Sequence, residues 1–242
     1  MNLKKHIPNT ITCLNLITGC ISVYFAFSGN LVVASLLILL SATFDFFDGL
    51  SARLLGVHSE IGIDMDSLAD VISFGFAPAA ILFMFMEENM ASLSPAVRNS
   101  VLGLLPFCAF VVPALSAVRL ARFNHDESQR TEFKGLATPA NALFIGYLHF
   151  SANHILFLHN FWVLFLCAAV TSALMLVPLP MFSLKFHHLR FKENEIRYIF
   201  LALSLILLII FRLGAFPIII LTYIILSFTK YALSKVHPLH ED

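Results

Sequence analysis

Two pairs of aspartates stand close together in this chain: Asp45 and Asp48, three residues apart, and Asp66 and Asp70, four apart. On a helix those spacings put each pair on one face, with Cβ atoms about 5–6 Å apart. Their flanks are strongly apolar. An acid near the middle of a bilayer costs roughly 2.5–3.5 kcal/mol on insertion scales, so four converging carboxylates need a counter-charge. Arg53 is a single cation and cannot neutralise four. One or two divalent cations would, and with no Cys or His beside the acids the ion is a hard, oxygen-preferring one such as Mg²⁺ or Mn²⁺. Ions of that kind usually complete their shells with phosphate oxygens. Asp64 is out of phase with Asp66 and Asp70 and faces elsewhere. The competing reading is a structural or proton-relay acid group in a transporter. No inverted repeat or broken-helix pair is evident to favour it.

Small residues accompany the acids. Gly49 follows Asp48, and Ala52 lies one turn further on. On one helix face they leave room for a ligand, although close helix–helix packing favours the same residues. Gly62 falls in the turn expected before the next helix, where it permits backbone conformations or a close approach that a side chain blocks. Arg53 sits at the end of its apolar segment, suited either to a phosphate or to anchoring at the membrane surface.

The elements that must position these residues follow from composition. Of 242 residues, 59% are hydrophobic and only 12% charged, against about 25% charged in soluble domains. The chain therefore reads as an all-α, polytopic membrane helical bundle. Spans need about 20 apolar residues. The candidates are roughly 9–28, 31–53, 66–86, 99–121, 139–158, 160–178, 197–212 and 214–232, giving about eight transmembrane helices. Lys4-Lys5 ahead of an apolar run is signal-like, but the run is too long, and it reads as the first span. With the N-terminus in the cytoplasm, every Lys and Arg except Arg98 and Arg212 falls on or near the cytoplasmic side. That split satisfies the positive-inside rule and puts both termini inside. Asp45 and Asp48 then come late in the second span and Asp66 and Asp70 in the first turns of the third, at one depth near the cytoplasmic face.

Cys13, Cys20, Cys108 and Cys167 all lie in apolar runs without a C-x-x-C pair and read as small buried hydrophobes. The ten histidines are scattered, His187-His188 included, and lack ligand spacing. Formal net charge is zero, so the field of the whole molecule says nothing about partners; nucleic acid is not expected.

Taken together, Asp45-x-x-Asp48-Gly49-x-x-Ala52-Arg53, eight residues, then Gly62-x-x-x-Asp66-x-x-x-Asp70 resembles the complete signature of the CDP-alcohol phosphotransferase family. The resemblance covers roughly residues 7–145. It implies an integral membrane enzyme that moves a substituted phosphate from a CDP-linked donor to an alcohol and releases CMP. It implies that Asp45, Asp48, Asp66 and Asp70 hold two divalent cations, Mg²⁺ or Mn²⁺, that Asp70 is also the general base, and that Gly49, Ala52, Arg53 and Gly62 line the CDP site. It further implies a homodimer in a prokaryotic cytoplasmic (inner) membrane, with the active site facing the cytoplasm. The chain is expected to be one domain over 1–242, with a six-helix catalytic core at about 7–180 and two extra C-terminal helices at about 197–232 serving as scaffold or dimer contact.

Within the family the closest likeness is to the phosphatidylserine synthase branch. It is carried by Asp66–Pro78, by Pro8-Asn9-Thr-Ile-Thr12-Cys-Leu-Asn15, by Arg119-Leu-Ala-Arg122-Phe-Asn124 and by Phe133-Lys134-Gly135-Leu136. Ala137 stands where many members have proline, a change expected to alter only loop stiffness. The implied substrates are CDP-diacylglycerol and L-serine. Arg119 and Arg122, three apart at the depth of the aspartates, could bind the serine carboxylate, with Asn124 and Lys134 adding polar contacts. The same arginines fit positive-inside anchors or a site for anionic headgroups. They would also serve the phosphate of glycerol 3-phosphate, which with inositol phosphate is the alternative acceptor.

Overall fold

The structure, a computed structural model, describes residues 6–57, 59–91, 93–125, 133–182 and 194–236. Lys4, Lys5, Arg130, Lys185, His187, His188, Arg190 and Lys192 of the sequence reading lie outside them.

Eleven helices follow one another among the described residues: α1 (His6–Phe27), α2 (Leu31–Leu55), α3 (Glu60–Asp70), α4 (Ala77–Ala91), α5 (Pro95–Arg98), α6 (Val111–His125), α7 (Thr138–Gly146), α8 (Leu148–Ala152), α9 (Phe161–Leu174), α10 (Glu195–Phe211) and α11 (Ala215–Val236). Five apolar helical stretches are long enough to cross a membrane: His6–Phe27, Leu31–Leu55, Glu60–Ala91, Val101–His125 and Glu195–Ala232. The last is broken by a 3₁₀ turn at Arg212–Gly214, where Arg212 has φ 51°, so α10 and α11 pack on each other. The expected fifth span is divided between α7, α8 and a 3₁₀ turn at Leu156–His159.

Local sequence explains the ends. The side chain of Asn30 accepts from the Val33 N–H at 3.1 Å and caps α2, and Ser59 does the same for α3 through Gly62. Each satisfies an N–H that the first turn leaves without a partner. Helix α3 thus begins six residues before the expected third span, and Gly62 lies inside its first turn rather than ahead of it. Pro106, which cannot donate to the α-helical ladder, sits in a ten-residue 3₁₀ stretch, Val101–Phe110, that leads into α6.

Helix α4 is the centre of the bundle. Ala77, Ala79, Ala80, Ile81, Leu82, Phe85 and Met86 are all buried in it, and its small residues let neighbours approach closely. Around it the helices are joined by hydroxyls bonded to backbone carbonyls: Ser22 to Ala34 at 2.7 Å, Ser35 to Gly146 at 2.7 Å and Tyr147 to Ser35 at 2.8 Å. Between α3 and α4 the chain makes a π-helical turn, Val71–Phe76. The extra residue per turn rotates the acidic face of α3 relative to the core face of α4, and π turns often mark functional sites. Ser73 of this turn presses on Gly19 of α1, where an added Cβ would lie 2.9 Å from the Ser73 Cα. Gly19→Ala is therefore expected to destabilise the bundle by about 1–3 kcal/mol, as overpacking does, and to lower the melting temperature in detergent. An unchanged melting temperature would show that the π turn does not depend on this contact.

The one β feature described is a two-residue antiparallel pairing of Phe133–Lys134 with Pro180–Met181. It clips the loop ahead of α7 to the end of α9. Gly135 (φ 78°) donates to the Leu179 carbonyl at 2.8 Å, and a Cβ there would lie 2.7 Å from the Met175 oxygen, so only glycine fits. Ala137 has φ −66°, a value that proline also adopts.

Candidate active site

Helices α2 and α3 carry the four aspartates, and α1 packs against both. One carboxylate oxygen from each of Asp45, Asp48 and Asp66 lies within 4.8 Å of the others. At that separation, like charges repel by about 3.5 kcal/mol per pair at an effective dielectric constant near 20. Asp66 Oδ1 is buried and has no hydrogen-bond partner among the described residues. An all-oxygen donor set with an unspent buried lone pair fits a hard divalent cation, and the trio is capable of holding one.

Asp70, one turn beyond Asp66, is 6% exposed, as is Asp48. It stands outside the trio but within electrostatic reach of all three acids and of Arg119. Two side chains of α1 reach the acids. Thr12 donates to Asp48 Oδ2 at 2.7 Å, and the Asn15 amide donates to Asp70 Oδ1 at 3.3 Å. Sequence reasoning used both only as branch markers. The signal that finds them is the buried stripe of α1, which consists of Pro8, Thr12, Asn15, Thr18, Gly19, Ser22 and Ala26. A membrane helix that hides its polar and small residues shows which side meets the protein.

Beside the trio is a cleft of about 140 Å³ lined by Asp48, Asp66, Gly49, Ala52, Gly62 and Thr12 among others. The small residues do leave space next to two of the acids. Arg53 is exposed, its Nε donates to the Gly49 carbonyl at 3.0 Å, and it does not line the cleft.

Of the residues expected at the acceptor, Arg119, Arg122 and Asn124 have different surroundings. Arg119 is half-buried; one Nη donates to Thr138 Oγ1 at 3.0 Å, its guanidinium lies 5.3 Å from the Phe123 ring centroid, and its Nε is buried without a partner. Arg122 is exposed. Asn124 turns the other way and donates to Ser67 of α3 at 2.8 Å, in a second, larger groove between α3 and α6 that also holds Asp64. Lys134 contributes its backbone to the short strand pair.

A model of the CDP-alcohol phosphatidyltransferase family matches residues 5–177. Among curated proteins, the chain is 36% identical over 140 residues to a CDP-diacylglycerol–serine O-phosphatidyltransferase of Helicobacter pylori, covering 57% of this chain and 54% of that protein. It is 36% identical over 181 residues to the protein so named in Mycobacterium leprae, covering 71% and 55%. With that of Bacillus subtilis it shares 31% over 152 residues, covering 63% and 80%. The chain thus spans about half the length of the first two relatives and four fifths of the third.

Proposed function

The chain belongs to the CDP-alcohol phosphatidyltransferase family, and on that premise we propose that it transfers the phosphatidyl group of CDP-diacylglycerol to the hydroxyl of L-serine, giving phosphatidylserine and CMP. The observation that carries the reading is the carboxylate trio, two members of which, Asp48 and Asp66, line a cleft with Gly49, Ala52 and Gly62. That juxtaposition suits a pyrophosphate on the acids with a nucleotide against the small residues.

In this reading Asp45, Asp48, Asp66 and Asp70 hold two divalent cations, Mg²⁺ or Mn²⁺. Ions held there would supply positive charge against the donor's phosphate oxygens and the departing CMP. Gly49, Ala52 and Gly62 leave room for the CDP moiety, and Arg53 guards its rim. Asp70 takes the proton of the serine hydroxyl. The freed oxygen attacks the phosphorus that bears diacylglycerol, and the bond from that phosphorus to the CMP oxygen breaks. Arg119, fixed by Thr138 and close to Asp70, binds the serine carboxylate. Arg122, Asn124 and Lys134 are further candidates for that site.

Eight spans with both termini in the cytoplasm put the acids at the cytoplasmic face of a prokaryotic inner membrane. There a lipid donor arrives from the side and a water-soluble acceptor from solution. The distribution of Lys and Arg supports this orientation. A six-helix core over about 7–180 carries the chemistry, α10 and α11 are additions to it, and a homodimer is carried over from the family.

Purified protein with CDP-diacylglycerol, Mg²⁺ or Mn²⁺ and a panel of acceptors tests the reading. Serine is expected to release CMP and form phosphatidylserine, with chelation by EDTA abolishing both. Release only with glycerol 3-phosphate or inositol phosphate would move the acceptor assignment. Cation flux without CMP release would replace the enzyme by a transporter.

A further inference from the structure

Helix α1 carries no acid, yet it touches one carboxylate of each pair. Thr12 is 4% exposed and Asn15 0% exposed. They stand three residues apart, on one face. Thr12 Oγ1 is 2.7 Å from Asp48 Oδ2 and 3.1 Å from the Pro8 carbonyl, so its single proton has the carboxylate as its nearer acceptor. Asn15 is held at its backbone. Its carbonyl accepts from Thr18 at 2.8 Å, from Ser73 of the π turn at 3.0 Å and from Ser41 of α2 at 3.3 Å. Its amide nitrogen reaches Asp70 Oδ1, while its amide oxygen is buried with no partner. Among the described residues the bond to Asp70 is thus the only side-chain hydrogen bond that Asn15 makes, and its backbone carbonyl ties the same residue to α2 and to the π turn that follows α3.

We propose that Thr12 and Asn15 are positioning residues. They make α1 a bracket that fixes the acid pair of α2 against that of α3 at cation-binding separation before any cation arrives. The inference rests on reading the aspartates as a cation site but not on the choice of acceptor. The physical need is plain: carboxylates a few ångströms apart repel, and without an ion they would splay. Each α1 donor stabilises one carboxylate and orients its plane through one of its two oxygens, Oδ2 of Asp48 and Oδ1 of Asp70. Both donors are neutral, so they brace the acids without competing with the cation for charge.

The test uses the full-length protein in detergent and reads Mn²⁺ binding by the electron paramagnetic resonance of free Mn²⁺, with no substrate present. Thr12→Val and Asn15→Leu keep side-chain volume and remove the donors. Each is expected to weaken Mn²⁺ binding by about 10–100-fold, the usual effect of losing an outer-shell partner. Thr12→Ser, which restores the hydroxyl, is expected to bind nearly as the wild type does. Ser22→Ala removes a helix-joining hydroxyl of the same buried stripe that bonds Ala34 rather than an acid, and it is expected to leave Mn²⁺ binding unchanged. If Asn15→Leu does not fold, Asn15→Ser, too short to reach Asp70, carries the same expectation. Wild-type Mn²⁺ binding in Thr12→Val and in the Asn15 variant overturns the bracket, as does equal weakening in Ser22→Ala or a wild-type protein that binds no Mn²⁺. The two readings separate cleanly. Weakened Mn²⁺ binding in a protein that releases no CMP with any acceptor upholds the bracket and sinks phosphatidyl transfer. Unaltered Mn²⁺ binding in variants of a protein that does make phosphatidylserine does the reverse.

Discussion

Asp70→Asn is expected to lower turnover by about 10²–10⁴-fold, the range that a positioned general base supplies, while CDP-diacylglycerol still binds. Asp48→Asn is expected to lose donor binding as well. The difference follows from where the two side chains lie. Asp48 lines the cleft together with Gly49, Ala52 and Gly62 and belongs to the carboxylate trio. A nucleotide pyrophosphate in that cleft would meet it directly. Asp70 lies outside both the trio and the cleft lining, held by Asn15 and facing the Arg119 side. Asparagine is nearly isosteric with aspartate and can still pair with the Asn15 amide after a flip of its own, so the fold is expected to survive. Binding of labelled CDP-diacylglycerol to both variants, measured beside CMP release, decides the matter. Equal loss of donor binding in the two would remove the separate role of Asp70.

The reasons why sequence revealed some of this and not the rest are physical. The aspartates were legible because ionised groups are rare in membrane helices and their spacing encodes a shared face whatever the neighbours do. Gly49, Ala52 and Gly62 were legible for the same reason, and the cleft forms where they lie. Other features depend on pairing between distant parts of the chain. The π turn at Val71–Phe76 is accompanied by the close fit of Ser73 on Gly19, and no local pattern in Val71–Phe76 announces it. The strand pairing of Phe133–Lys134 with Pro180–Met181 joins two loops almost fifty positions apart. Arg119 and Arg122 share a spacing, yet a helix has a continuous range of facings, and three residues suffice to turn one side chain towards α7 and the other to the surface. Thr12 and Asn15 could have been found: on an otherwise apolar first helix, polar residues that recur at helical spacing mark the buried side.

The second large effect concerns Arg119. Arg119→Gln is expected to raise the KM for serine by about 10–100-fold, since a hydrogen bond to a charged group contributes roughly 1.5–3 kcal/mol; donor binding should change little. The guanidinium is already oriented: Thr138 accepts from one Nη, the Phe123 ring centroid lies 5.3 Å away, and the buried Nε has no partner among the described residues. A half-buried cation with an unspent donor is matched to a small anion that can reach it, and the carboxylate of an amino acid is such an anion. Thr138 is itself placed by the loop that Leu136 ties to Leu174 at the end of α9, so orientation of Arg119 is inherited from that closure. Thr138→Val should therefore raise the serine KM as well, by less than Arg119→Gln does, because the charge remains. Arg119→Lys keeps the charge but lacks the planar fork, and its KM should fall between those of the wild type and Arg119→Gln. Arg122→Gln, altered at an exposed position, provides the comparison: a serine KM near wild type leaves the carboxylate to Arg119, and a rise matching that of Arg119→Gln adds Arg122 to the site. The competing role for Arg119 is contact with an anionic headgroup. In that case Arg119→Gln would raise the KM for CDP-diacylglycerol and leave that for serine unchanged, and the serine site would have to be sought elsewhere along α6.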